Sequence, residues 1–126
     1  MRAVDTNVLV RLLTRDDRKQ TASAESFVAK GAWVSHLALA EAIWLLDSVY
    51  ELTSDQISTT VEMLLSHAHL SIQDSDVVAS ALISFRAQTS LGFSDCLVLE
   101  IARKAGHLPL GTFDRALSRI DGAQRL

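Results

Sequence analysis

The chain has 126 residues, 48% of them hydrophobic, with twelve Lys and Arg against fifteen Asp and Glu and a formal net charge of −3. That length suits one compact domain, residues 1–126, with its own core, and the acid-leaning balance excludes a histone-like or polybasic binder. One Pro, five Gly and a lone cysteine, Cys96, exclude collagen-like, low-complexity and disulfide-stapled classes and point to a reducing cytoplasm. No leader or membrane span is expected, because Asp5 interrupts the opening before an apolar run develops. The most apolar stretch, Leu37 to Leu46, is too short to span a bilayer and carries Glu41 in its middle.

Short β-like runs alternate with longer helical patterns. Ala3-Val4 reads as a strand ending near Asp5, after which Asp5-Thr6-Asn7 offers capping groups for a helix with Val8, Leu9, Leu12 and Leu13. A helix follows over about Asp17 to Lys30, with Ala24, Phe27 and Val28 on one face and Gly31 as its stop. Ala32-Trp33-Val34 is the second strand, and Ser35 caps a long helix from His36 to about Glu51. Thr53 or Ser54 caps the next, where Ile57, Val61, Leu64 and Leu65 share a face. Leu70-Ser71-Ile72 alternates like a strand. Asp74 or Ser75 opens a helix with an inward stripe of Val77, Val78, Ala81, Leu82 and Phe85, followed by a loop from Gln88 to Gly92. Ser94 is expected to cap a further helix with Leu97, Val98, Ile101, Ala102 and Ala105 inward and Gly106 as stop. Leu108-Pro109-Leu110 reads as a fourth strand, Thr112 as the cap of a last short helix, and Ala123 to Leu126 as an edge strand. Trp33 and Trp44 are assigned to the core. Strands separated by helices give an α/β, three-layer fold: a short parallel β-sheet flanked by helices on both faces.

Four carboxylates stand out. Open parallel sheets gather their chemistry at the carboxyl ends of the strands, and Asp5, Asp95 and Asp114 lie where the chain leaves a strand or enters a helix. Glu41 sits within a helix beside Leu37, Trp44 and Leu45, surroundings in which a lone carboxylate needs a partner or a metal. Each acid alone has a plain structural reading, as a helix cap, a first-turn acid or an exposed stripe. Gathered at one edge they would repel until protons or cations neutralise them, and an all-carboxylate set suits Mg²⁺ or Mn²⁺. The histidines, His36, His67, His69 and His107, show no ligand spacing tied to these acids. Cys96 reads as a buried structural thiol, and nucleotide-binding glycine loops and nucleophile elbows are absent from the sequence.

Together, Val4-Asp5-Thr6-Asn7-Val8-Leu9, the helix-borne Glu41, Phe93-Ser94-Asp95 and Thr112-Phe113-Asp114 resemble, in order and spacing, the PIN-domain ribonucleases. The compact length is similar to that of the VapC-type toxins of toxin–antitoxin modules. The resemblance implies a PIN-like fold over the whole chain and metal-dependent endonuclease action on RNA. Asp5, Glu41, Asp95 and Asp114 would be both the catalytic and the metal-holding quartet for one or two Mg²⁺ or Mn²⁺ ions, with Asn7 and Thr112 as polar supports. Many relatives carry a further acid a turn beyond the last motif Asp, where this chain reads Arg115-Ala116-Leu117-Ser118. The resemblance also implies homodimers and a hetero-oligomer with a cognate antitoxin.

Charge is unevenly spread. Residues 31–85 hold seven acids and no Lys or Arg, whereas residues 1–30 and 86–126 each hold six basic and four acidic residues. Arg11, Arg15 and Arg115, with Arg18, Lys19, Arg86 and Arg119, are candidates for RNA phosphate contacts. The acidic middle bears Trp44, Leu46, Val49, Tyr50, Leu52, Met63 and Leu64 on two helices, an apolar surface suited to a basic partner segment. Four alternatives stay open: a metal-dependent DNA nuclease; a phosphatase using Asp5, for which Asn7 replaces the usual second Asp; a receiver-type domain, for which Lys104 is the only late lysine; and a PIN-like scaffold that binds nucleic acid or protein without catalysis.

Overall fold

The computed structural model describes residues 1–88 and 90–126 as two compact units, Met1–Ser75 and Asp76–Leu126. The first contains β1 (Arg2–Val4), α1 (Thr6–Thr14), α2 (Arg18–Val28), β2 (Ala32–Val34), α3 (His36–Ser48), α4 (Ser54–Ser66) and β3 (Leu70–Ile72). β2 is central and parallel to both neighbours, with Val34 opposite Val4 and Ile72. Parallel strands need crossovers, and the helix pairs α1–α2 and α3–α4 supply them. Ala32, Val34, Leu9, Leu39 and Val61 are buried and hold the three short strands under the helices.

Side chains start each of these helices. Asp5 accepts from the Val8 amide at 3.1 Å, Asp17 from Gln20 at 3.0 Å and Ser35 from Ala38 at 3.1 Å. Thr53 and Gln56 form a reciprocal capping box at the head of α4. Such caps contribute about 1 kcal/mol each. The third helix ends at Ser48, before the expected Glu51, because Glu51 itself takes a left-handed backbone conformation, φ 56°.

The second unit carries α5 (Ser75–Ala87), α6 (Phe93–Ala105), β4 (Leu110–Thr112), a 3-10 turn at Leu117–Arg119 and β5 (Ala123–Arg125). The α/β class and parallel pairing are as expected, but three local assignments change. The strand expected at Leu108–Leu110 begins only at Leu110 and runs to Thr112, and it pairs with β5 in a separate two-stranded parallel sheet. Thr112 therefore ends a strand, and the capping position of the turn at Leu117 falls to Ala116, while Asp114 accepts from the Leu117 amide at 2.8 Å. At the head of α6 the capping position falls to Gly92, with no side-chain cap, so Ser94 lies inside the first turn. The expected loop from Gln88 to Gly92 includes Thr89, which lies outside the described residues.

The α5 stripe is buried as expected, whereas α6 is turned from its expected phase. Phe93, Cys96, Leu97, Leu99 and Glu100 face inward, while Val98 and Ile101 are exposed. Apolar residues encircle this helix, so hydrophobicity alone does not fix its inward side. Both tryptophans, assigned to the core from sequence, are exposed, Trp44 at 61%. Among the described residues no helix is long and apolar enough to cross a membrane.

Gly122 lies in the turn that enters β5. Its φ is 97°, and an added Cβ would sit 3.0 Å from the Arg103 guanidinium. Gly122→Ala should cost about 1–2 kcal/mol through left-handed strain and displacement of Arg103. Urea unfolding checks this, and an unchanged midpoint would show that the turn relaxes freely.

Candidate active site

Each unit presents two of the four predicted acids. In the first, Asp5 leaves β1 and heads α1, so its place is set by strand and helix at once. The Val8 amide occupies its Oδ1, and the carboxylate remains exposed. Glu41 lies on α3, which packs against α1. The Thr6 hydroxyl donates to Glu41 Oε2 at 3.0 Å. Consecutive residues Asp5 and Thr6 therefore present one carboxylate and orient another.

The apolar environment expected around Glu41 is not there. Glu41 is exposed, and so are its stripe-mates Leu37, 69% accessible, and Trp44. The inward side of α3 is formed by Ala38, Leu39, Ala42, Ile43 and Leu46. Glu41 needs no burial compensation, and its orientation comes from one hydroxyl donor. The apolar surface expected over the acidic middle is smaller than the sequence suggests. Trp44, Val49, Tyr50 and Met63 are exposed, while Leu46 and Leu64 are buried and Leu52 is half-buried.

In the second unit, Asp95 lies half-buried in the first turn of α6, and Asp114 is exposed just beyond β4. Burial, and secondarily the negative charge of Asp114, raise the Asp95 carboxyl above the ordinary aspartate range. Thr112 Oγ1 accepts from the Asp114 amide at 3.0 Å, and Asp114 Oδ1 accepts from Leu117 N. Thr112 thus shapes the loop that presents Asp114. Cys96 is buried, and its thiol is pushed up to about 11, chiefly by burial and then by Asp95 and Glu100. A thiol so protonated is a poor nucleophile.

A further acid, Glu100, is not marked out by the strand-exit pattern. Glu100 is buried and held by Arg103 Nε at 3.1 Å, and Arg103 Nη2 also donates to the Asp121 carbonyl at 2.5 Å. Its spacing of three from Arg103 on a helix was the available signal.

The predicted cations have differing fates. Arg11 donates to Gln20, Asp16 and the Tyr50 hydroxyl, the last at 3.5 Å, and Tyr50 donates to Asp16 at 3.0 Å. Arg15 ends α1 in a left-handed conformation and pairs with Glu25 at 2.7 Å. It lines a cavity of about 530 Å³ with Leu12, Leu13, Met63 and His67, at the opposite end of α1 from Asp5. Arg115 and Lys19 are exposed. Asn7 is also exposed and shares with Asp5 the wall of a second cavity, of about 700 Å³, between α1 and α2. Lys104, weighed as a phosphoryl grip, binds Asp76 at 3.0 Å.

Among the described residues, no three His, Cys, Asp or Glu side chains are grouped closely enough to hold a metal ion. The donors are nonetheless of the hard oxygen type that Mg²⁺ and Mn²⁺ take. The mutual repulsion of Asp95 and Asp114 is of the kind a dication relieves.

The sign of that repulsion is testable without substrate. A raised folded-state pKa means that the folded chain holds the Asp95 proton longer than the unfolded chain, so stability falls as pH rises from the ordinary aspartate value through the raised one. Asp95→Asn should therefore melt higher than the parent at pH 7 in EDTA, with an advantage that shrinks toward pH ~4. Equal melting at both pH values would contradict the penalty that burial and the Asp114 charge place on ionised Asp95. Thr6→Val, which strips Glu41 of its donor, should cost roughly 0.5–1.5 kcal/mol in urea unfolding. No loss would mean that water replaces the hydroxyl at no cost.

A family model described as PIN domain matches residues 2–123. Comparisons with curated proteins and with solved structures gave no match.

Proposed function

The chain belongs to the PIN-domain family, a nuclease-type fold, and from that premise we propose that it is a Mg²⁺- or Mn²⁺-dependent endoribonuclease, the toxin of a type II toxin–antitoxin pair. The observation that carries the reading is the pairing of the acids. The chain offers four carboxylates in two pairs, one linked by Thr6, which follows Asp5 and donates to Glu41, and one by the charge of Asp114 on Asp95, in an order and spacing that resemble the family's.

In this reading Asp5, Glu41, Asp95 and Asp114 hold the cation. When bound, it supplies an activated water and neutralises the charge that builds on a phosphodiester during hydrolysis. The protein's own groups keep the ligands in place. The Val8 amide fixes the Asp5 rotamer, the Thr6 hydroxyl aims Glu41, and Thr112 with the Leu117 amide sets the loop of Asp114. Asn7, exposed beside Asp5, is a polar support for whatever Asp5 holds. The half-buried setting of Asp95 weakens solvent competition for its oxygens.

The partner side of the proposal rests on α3 and α4. Trp44, Val49, Tyr50 and Met63 are exposed on a stretch with seven acids and no cation. That combination suits a basic, apolar antitoxin segment and a second copy of the chain, in the cytoplasm.

Purified protein incubated with total RNA should yield discrete fragments in Mg²⁺ or Mn²⁺ and none in EDTA. Asp5→Asn or Asp95→Asn should lower cleavage by about 100-fold or more while circular dichroism is unchanged; losing an outer partner of a metal ligand typically costs 10–100-fold, and a ligand should cost at least as much. Full activity in both variants would remove these residues from the site. Metal-dependent cleavage of DNA alone would make the protein a DNA nuclease, and no products from either would leave a binding scaffold.

A further inference from the structure

Glu100 is a buried acid that the proposed chemistry does not use. It lies on α6, the helix that carries Asp95 in its first turn, and it holds the guanidinium of Arg103 through Nε at 3.1 Å. The other arm of that guanidinium, Nη2, leaves the helix and donates to the Asp121 carbonyl. Gly122 makes the approach possible, because a Cβ there would sit 3.0 Å from Nη2 and 3.2 Å from Nη1. The next carbonyl along the chain, that of Gly122, accepts from the Leu110 amide at 2.8 Å, where β4 begins. Thr112 ends β4, and its hydroxyl accepts from the Asp114 amide at 3.0 Å. A continuous line of covalent and hydrogen bonds therefore runs from the helix of Asp95, through Arg103, to the loop of Asp114.

We propose that Arg103 is a positioning residue of the cation site: by tying the Asp121–Gly122 turn to α6 it fixes where β4 ends, and with it the place of Asp114 relative to Asp95. This rests on the nuclease reading above and deepens it by naming a residue outside the acid set on which the ligands depend. β4 and β5 have three residues each and are half-buried or exposed throughout, so apolar packing does little to locate them. A two-stranded element of that kind is marginal alone and takes its position from what it is tied to. The buried Leu117 anchors one end of the Asp114 loop, and Arg103, through the strands, anchors the other. The fork is stiff, since a planar guanidinium held at Nε by a carboxylate has one direction in which to offer Nη2. The charge of Asp114 already acts on Asp95, so a shift of the strands alters both acids together. A binding constellation works only when its groups are held within about 0.5 Å of their productive geometry.

The test uses the whole chain freed of metal. It reads Mn²⁺ binding by the electron paramagnetic resonance of unbound Mn²⁺, and hydrogen exchange at the Leu110 amide, which needs no metal. Arg103→Lys leaves a cation for Glu100 but cannot serve carboxylate and carbonyl together. The double variant Glu100→Leu/Arg103→Met leaves no charge to bury, and such paired replacements are often neutral for stability, so it should melt near the parent. Both variants should bind Mn²⁺ roughly 10-fold more weakly, the low end of what losing an outer partner costs a metal site. In both, the Leu110 amide should lose protection while the Leu97 amide inside α6 keeps it. A merely structural ion pair behaves otherwise: the double variant would recover Mn²⁺ affinity along with its melting temperature, and that result overturns the proposal. Weakened Mn²⁺ binding with Leu110 protected as in the parent overturns it too, because the strand would not have moved. If Arg103→Lys fails to fold, the double variant decides alone. A parent that cuts RNA in Mn²⁺ while the folded variants bind the ion as the parent does removes the positioning role and leaves the nuclease reading standing. A parent that takes up no Mn²⁺ and cuts no RNA removes both.

Discussion

The bond between the Asp5 carboxylate and the Val8 amide, 3.1 Å long, is the constraint on which the first unit's chemistry depends. An aspartate at a strand end could point in several directions. Committed to the first turn of α1, it holds one direction relative to β1 and the helix axis, and its second oxygen is left for other chemistry. The same turn places Thr6 against Glu41 on the neighbouring helix. One residue thus both caps the helix and presents a carboxylate. A change at Asp5 therefore removes that carboxylate and also loosens the helix whose first turn aims Glu41.

The second unit solves the same problem by different means. Its two acids are set by a helix start without a side-chain cap and by a strand-to-turn junction. Asp95 pays a desolvation penalty that the exposed acids do not. The charge of Asp114 adds to that penalty, so both act against ionised Asp95 in the folded chain.

Much of this was legible in the sequence because it rests on local chemistry. Asp17, Ser35 and Thr53 are caps by residue type and spacing, and the five residues of the α5 stripe repeat at helical intervals. Asp5, Asp95 and Asp114 lie at the strand exits and helix start where topology leads one to look for acids. Features set by tertiary context were not legible. Glu41 looked buried because its neighbours are apolar, yet Leu37 and Trp44 are themselves exposed. The inward side of α6 is not legible in the sequence, because apolar residues surround that helix and only packing selects among them. The partition of strands into two sheets depends on the partner that β4 finds, which is β5. The engagement of Arg11 by Asp16 and Tyr50 reaches across 39 residues to α3's far end, beyond any local pattern.

The buried Glu100 and its arginine carry a consequence for how this chain tolerates change. Arg103 serves a carboxylate with one nitrogen and a backbone carbonyl next to Gly122 with another, a forked task that a lysine's single ammonium does not reproduce. Loss of Arg103 alone leaves the buried Glu100 carboxylate without its partner, whereas loss of Glu100 leaves an arginine that is 35% accessible to solvent. Paired replacement by two apolar side chains leaves no such carboxylate. Position 103 is therefore constrained for as long as position 100 keeps its carboxylate, and a variant of this chain that has lost Arg103 should have lost Glu100 as well.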